Sequence, residues 1–145
     1  MHSALEPLIR EAGLKATAGR VAVLEALEHH PHSDAETLYR AIKTTVPSTS
    51  IQSVHNIIGD LTAARLVRRI EPAHSAALYE RRVDDNHHHL VCTGCGAVAD
   101  VDCVVGAAPC LTPSHTSGFT ITAAEVTFWG VCRDCQASAS SPTAA

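Results

Sequence analysis

Two C-x-x-C pairs, Cys92/Cys95 and Cys132/Cys135, stand 36 residues apart, and any fold of this chain has to accommodate them. A C-x-x-C turn spaces two thiolates by about one edge of a tetrahedron, so two such turns complete the four-thiolate set that zinc favours. The intervening length exceeds that of a compact zinc ribbon, so a Zn2+ ion would pin a late segment back onto an earlier turn. Gly94 and Gly96 suit the tight knuckle this requires. Two other readings remain open at this point: buried free thiols, and a thioredoxin-like redox pair. The latter needs its motif to open a helix within a βαβ unit, and no amphipathic helix is expected after Cys95 or Cys135. Structural zinc contributes on the order of 10 kcal/mol to folding, which matters in a chain with only 3% aromatic residues. Cys103 and Cys110 read either as small core residues or as a peroxide-sensitive thiol pair.

The first pair sits within "NHHHLVCTGCGAVADVDC", residues 86–103. On a strand, alternate side chains share a face, so His87 and His89 point one way and His88 the other. Asp100 falls on the next strand, after the cysteine turn, and can return alongside them. Two imidazoles with a carboxylate suit Fe2+, Mn2+ or Zn2+ and leave the thiolates to their own zinc. The alternative is a solvated histidine run.

Charge is unevenly placed. Residues 1–83 carry ten Lys/Arg against nine Asp/Glu, whereas residues 84–145 carry one against six. One half can still meet phosphates while the other handles cations. The first half reads as helices. Ser3 caps a short one ending at Gly13. Thr17 caps a second with Val21, Leu24, Ala26 and Leu27 at helical spacing. Ser33 to Glu36, "SDAE", is a capping box opening a third with Leu38, Ala41 and Ile42 on one face. Ser50 starts a fourth with an apolar stripe of Ile51, Val54, Ile58 and Leu61. Two short strand-like runs, "LVRRIE" and "AALYERR", follow. This order describes a winged helix-turn-helix. The expected fold class is therefore α+β: a winged-helix domain over residues 1–83, a small α/β domain over 84–136, and a disordered tail over 137–145.

In a winged helix the fourth helix enters the major groove. Its exposed positions are Gln52, Ser53, His55 and Asn56, and Gln and Asn pair bidentately with adenine. Arg68 and Arg69 on the wing are placed to meet phosphate. No basic-then-apolar leader and no run near the roughly 18 apolar residues of a membrane span is present, so a cytoplasmic location without membrane contact is expected. No Ser/His/Asp set, phosphate loop or paired acids suggest an enzyme or a small organic substrate.

"HHHLVCTGCGAVADVDC" with "FWGVCRDC" resembles the metal-binding half of the ferric uptake regulator (Fur) superfamily, and "AGLKATAGRVAVLEAL", "HPHSDAETLYRAI" and "LVRRIEPAHSAALYE" resemble its DNA-binding half. Within it, "YERRVDDNHHHLVCTGCGAVADVDC" is most similar to the actinobacterial FurA/CatR peroxide-responsive branch. The resemblance covers about residues 5–136. It implies a homodimeric repressor that binds operator DNA when its regulatory metal is bound. It assigns Cys92, Cys95, Cys132 and Cys135 to structural Zn2+. It assigns His32, Glu80, His87, His89 and Asp100 to a regulatory site for Fe2+ or Mn2+, in which Zn2+ may substitute. Peroxide-sensing members carry Asp where mainly iron-sensing members carry Glu at the position of Asp100. In such members iron-catalysed oxidation strikes ligand histidines, here His32 and His87. A further family site uses the position of His88 with downstream ligands, where Ala107 and Ala124 stand in this chain, so His88 reads either as a ligand of that site or as a solvated residue beside the regulatory one. Lys15 and Arg20 match positions that approach the DNA backbone or minor groove. Around His55 the chain reads S-V-H-N, where T-V-Y-R or A-V-Y-D is common, and Gly19 stands where Pro is common. Within the superfamily the rival readings are an iron-uptake repressor and a zinc or nickel sensor; outside it, a zinc-containing thiol oxidoreductase.

Overall fold

Apolar residues recurring every three to four positions close a helical core in the first half of the chain. The computed structural model describes residues 4–81, 87–102, 114–121 and 126–140. The chain divides into two units, Met1–Asp85 and Asn86–Ala145, each taken by itself below.

The first unit runs α1 (Leu5–Glu11), α2 (Ala18–His29), α3 (Ala35–Ile42), α4 (Ile51–Ala63), β1 (Arg68–Ile70) and β2 (Leu78–Glu80). Ile9, Val23, Leu24, Leu27, Leu38, Ile42, Val54, Ile58 and Leu61 are almost wholly buried. Each such side chain adds about 1.5–3 kcal/mol by leaving water. The two strands pair antiparallel as a short hairpin, with Arg69 opposite Tyr79. Helices followed by this hairpin make a winged helix, as the sequence suggests.

Helix boundaries follow local chemistry. The Thr17 hydroxyl accepts the Arg20 N–H at 3.3 Å, and the Ser50 hydroxyl accepts the Ser53 N–H at 3.1 Å. At α3 the cap is Asp34 instead of the expected Ser33: its carboxylate accepts the Thr37 N–H at 2.8 Å. Ser33 is committed elsewhere. Its hydroxyl donates to the His30 carbonyl at 2.6 Å, and its carbonyl accepts the Tyr79 N–H at 2.9 Å. At α1 the cap position is Ala4, with no side-chain bond; Ser3 lies outside the described residues. Two expected core positions are exposed: Ala41, at the border of the buried face of α3, and Ile51, 38% exposed in the first turn of α4.

The second unit holds a three-stranded sheet in the order β4-β3-β5, from β3 (His87–Cys92), β4 (Val98–Asp102) and β5 (Thr127–Gly130), followed by α5 (Arg133–Ser140). β3 pairs antiparallel with β4 and parallel with β5. Among its described residues the buried apolar side chains are Val91 and Cys92. Two expectations change here. The disordered tail does not begin at residue 137, because α5 continues through Ser140. The second C-x-x-C also opens this helix, although no strand follows it among the described residues to make a βαβ unit. The polar run "RDCQASAS" carries no apolar period to announce a helix. Its start is held by hydrogen bonds from the Gln136 N–H to the Cys132 carbonyl at 2.9 Å and from the Gln136 side chain to the Val131 carbonyl at 2.7 Å. Cys103, Cys110, the expected domain boundary at 83/84 and the last five residues lie outside the described residues.

Replacing Asp34 by Ala should cost about 1 kcal/mol of stability at neutral pH, and Ser33→Ala should not reproduce the acid-side effect described next. The Thr37 hydroxyl and N–H hold the Asp34 carboxyl below its ordinary value of 3.8. A folded pKa below the unfolded one gives stability that is complete above the unfolded value and lost as pH falls through the folded one. Urea midpoints should therefore fall more steeply below pH 4.5 in the wild type than in Asp34→Asn; parallel curves would refute the assignment.

Candidate metal centres and nucleic-acid interface

Cys92, Cys95, Cys132 and Cys135 form a cluster of ligating atoms, whose sulfurs all lie within 4.8 Å of one another. Backbone hydrogen bonds build it. The Cys92 N–H donates to the Ala97 carbonyl at 2.9 Å, and the Gly96 N–H to the Cys92 carbonyl at 3.0 Å, closing a turn that needs positive φ at Gly96. The Thr93 N–H donates to the Gly130 carbonyl at 2.8 Å, which brings the chain entering the second pair beside the first. The Cys95 and Cys132 sulfurs are 3.7 Å apart. That is far longer than a disulfide, about 2.05 Å, and matches the edge of about 3.8 Å that follows from Zn–S bonds of about 2.3 Å. The donor set fits zinc.

Electrostatics inside the cage also call for a dication. The Cys92 sulfur accepts N–H groups from Cys132 at 3.3 Å, Cys95 at 3.5 Å and Gly94 at 3.3 Å. These donors, that of Cys132 foremost, bring its thiol down to about 6. Cys135 is pushed up to about 12 by its neighbours Cys132, Cys92 and Cys95. One thiolate therefore forms readily and a further one is opposed, until a cation offsets their repulsion. Gly94 leaves room for this: a Cβ there would stand 3.1 Å from the Cys135 sulfur and 3.6 Å from that of Cys92.

The other expected ligands appear as two cross-strand pairs, one in each unit. In the first, Ser33 bridges antiparallel to Tyr79, which sets His32 opposite Glu80. His32 takes a left-handed conformation, φ 61, and its Nε2 lies 3.0 Å from the Glu80 carboxylate, which is 1% exposed. In the second, His89 stands opposite Asp100 in the β3–β4 register, with Nε2 3.3 Å from the carboxylate. His87 stands opposite Asp102; its side chain lies outside the described residues. His88 meets Phe128 edge-on, with ring centroids 6.3 Å apart.

On the first unit, Gln52, Ser53, His55 and Asn56 are exposed along α4, as is Lys15 ahead of α2. Gln52 donates to Asn56 at 3.1 Å. Arg69 is exposed but pairs with Glu71 at 2.5 Å, and Arg68 is half-buried. Arg20 points to Asp60 of α4, at 2.9 Å. Asp60 was not anticipated: it stands 40 residues from its partner, and no periodicity links them.

Comparison with known proteins gives the family, relatives and fold that this chain resembles. The sequence pattern of the Ferric uptake regulator family matches residues 11–129. The transcriptional regulator FurA of Mycobacterium tuberculosis is 54% identical over 130 residues, covering 90% of this chain and 88% of the relative. Ferric uptake regulation protein 1 of Mycolicibacterium fortuitum is 49% identical over 140 residues, covering 94% and 87%. A solved structure of the Helicobacter pylori ferric uptake regulator, which has three functional metal-binding sites, matches with a TM-score of 0.67 at 22% identity, covering 92% of this chain and 90% of that one. At that identity the likeness concerns the fold.

Adding a methyl group at Gly94 should disturb the thiolate cage without removing a ligand. Gly94→Ala is expected to release zinc to a chelator at least about tenfold faster than the wild type, the scale on which groups around a ligand shell act. Equal release rates would show that the close approach to Cys135 does not limit the site.

Proposed function

The chain belongs to the ferric uptake regulator family and is a metal-dependent transcriptional regulator; from that premise we propose that it acts as a peroxide-responsive repressor, binding operator DNA as a homodimer when its regulatory Fe2+ or Mn2+ site is filled. Members of this family are regulators and not enzymes, which sets the thiol oxidoreductase reading aside. Zn2+ at Cys92, Cys95, Cys132 and Cys135 serves structure.

The observation carrying this reading is the pairing of a buried or nearly buried imidazole with a carboxylate once in each unit: His32 with Glu80 at 3.0 Å, and His89 with Asp100 at 3.3 Å. Neither pair alone fills the coordination sphere of Fe2+ or Mn2+, which take five or six ligands. We assign both pairs, with His87, to one regulatory site. When bound, the metal would supply a shared charge for these donors, and Fe2+ would additionally give peroxide one electron, the oxidised ligand histidine supplying the remainder. Within the first unit His32 contacts Glu80, and within the second His89 contacts Asp100; a metal taking ligands from both pairs would tie the two units together. Fixing the interdomain angle in this way sets the spacing of two recognition helices in a dimer. A switch from 1:99 to 99:1 needs about 5.5 kcal/mol of differential binding, which ligands drawn from both units can provide.

A homodimer is supported by the second unit's apolar surface: Leu90, Phe128, Trp129 and Val131 are each 40–50% exposed, and a second copy would cover them. Among the described residues no helix is long and apolar enough to cross a membrane; we place the regulator in the cytoplasm with its DNA. Gln52, Ser53, His55 and Asn56 are assigned to base edges, and Lys15, Arg68 and Arg69 to phosphate. Asp100, which stands where mainly iron-sensing members carry Glu, favours peroxide over iron supply as the signal.

His32→Ala and His89→Ala are each expected to keep zinc and remain dimeric, yet to lose about a hundredfold in metal-stimulated operator binding, within the range of ordinary coupling between sites. Full operator binding by both variants would refute the bridging site. Peroxide treatment of the iron-loaded protein should add one oxygen to His32 or His87, read by mass spectrometry of peptides. Intact histidines with unchanged DNA binding would favour an iron-uptake regulator.

A further inference from the structure

The guanidinium of Arg20 is spent on the protein. Its Nη2 donates to the Asp60 carboxylate at 2.9 Å, and its Nη1 donates to the Lys15 carbonyl at 2.7 Å. The side chain is only 17% exposed, whereas that of Asp60 is 52% exposed. Asp60 lies one helical turn beyond Asn56, which itself lies one turn beyond Gln52. Residues four apart share a helix face, so Gln52, Asn56 and Asp60 form one row along α4. Gln52 and Asn56 are already joined within it at 3.1 Å. Arg20 therefore grips the far end of the row that carries the two amides. At Gly19, immediately before Arg20, a Cβ would come within 2.8 Å of the Ile57 Cδ1, so the first turn of α2 is seated directly against α4.

We propose that Arg20 is a positioning residue for DNA recognition: it clamps α4, through Asp60, to the turn carrying Lys15, and does not itself bind phosphate. The clamp sets the rotation of α4 about its axis, and with it the direction in which Gln52 and Asn56 face. It also sets the position of the Lys15 backbone, and hence the origin of its ammonium arm, relative to that row. Turning Arg20 toward DNA would break a charge-assisted bond and leave Asp60 as an unpaired anion on the helix that approaches phosphates. An ion pair with one half-exposed partner adds little to stability, so the effect of the clamp should appear in recognition more than in folding.

This inference rests on the reading of the first unit as the operator-binding domain. The test uses the full-length, Mn2+-loaded protein and a duplex that the wild type selects from a random pool. Arg20→Ala and Asp60→Ala should each weaken binding about tenfold, and the double variant no further than that, because the two side chains act as one unit. All three should keep the wild-type slope of log affinity against log salt, with melting midpoints within about 3 °C of the wild type. Arg20→Lys, which can reach one partner at a time, should be intermediate. Suppose instead that Arg20→Ala lowers the salt slope by about one phosphate contact, while Asp60→Ala binds as well as or better than the wild type. Arg20 is then a phosphate ligand and the proposal is wrong. Failure of the wild type to select any sequence would overturn the regulatory reading, and this inference with it.

Discussion

The hydrogen bond from the Tyr79 N–H to the Ser33 carbonyl, 2.9 Å long, does more than extend the wing. It places the residue before Ser33 opposite the residue after Tyr79, and those are His32 and Glu80. An antiparallel pairing offers no freedom in this matter: a slip of one residue would turn one of the two side chains to the other face and part them. The second unit uses the same device, where the β3–β4 register sets His89 against Asp100. A carboxylate as buried as Glu80, 1% exposed, needs a partner that donates to it, and the opposing imidazole supplies one. The proposed regulatory site thus draws on two cross-strand pairs, one from each unit.

The four cysteines play a different part. Among the described residues, the second unit buries few apolar side chains, and its sheet has only three short strands. The thiolate cluster ties the turn after β3 to the start of α5. Gly94 makes the approach possible, and the N–H groups around Cys92 prepare one anionic corner of the cage. In the proposed arrangement structure and regulation would draw on different chemistry, sulfur for one site and nitrogen with oxygen for the other, which would allow one metal to be exchanged while the other stays.

Much of this was legible in the sequence because it is written in local spacing. The C-x-x-C pairs, the caps at Thr17 and Ser50, and the alternation in "HHHL" depend on residues within four positions of one another. The capping-box pattern points to Ser33 as the α3 cap, while the bridge to Tyr79 that occupies it lies far along the chain. The α5 helix is polar and held at its first turn by the cysteine segment, so no apolar period announces it. The left-handed backbone of His32 has no sequence signature, since β-turn and cap signals favour Gly or Asn at such positions. The Arg20–Asp60 pair was invisible for the same reason as the Ser33 bridge: tertiary packing, and not periodicity, chooses the partner. Exposure at Ile51 and Ala41 shows the margin of an amphipathic stripe, where periodicity alone does not separate a core position from its neighbour.

The account stands on one cation taking nitrogen ligands from both halves of the chain. The most direct test is electron spin-echo spectroscopy of Mn2+ bound to the zinc-replete protein, in which nitrogen couplings report the histidines attached to a single manganese. His32→Ala and His89→Ala should each remove a histidine coupling from the same signal. If either substitution leaves the nitrogen couplings unchanged, the manganese draws on one unit only, and the bridging site does not exist.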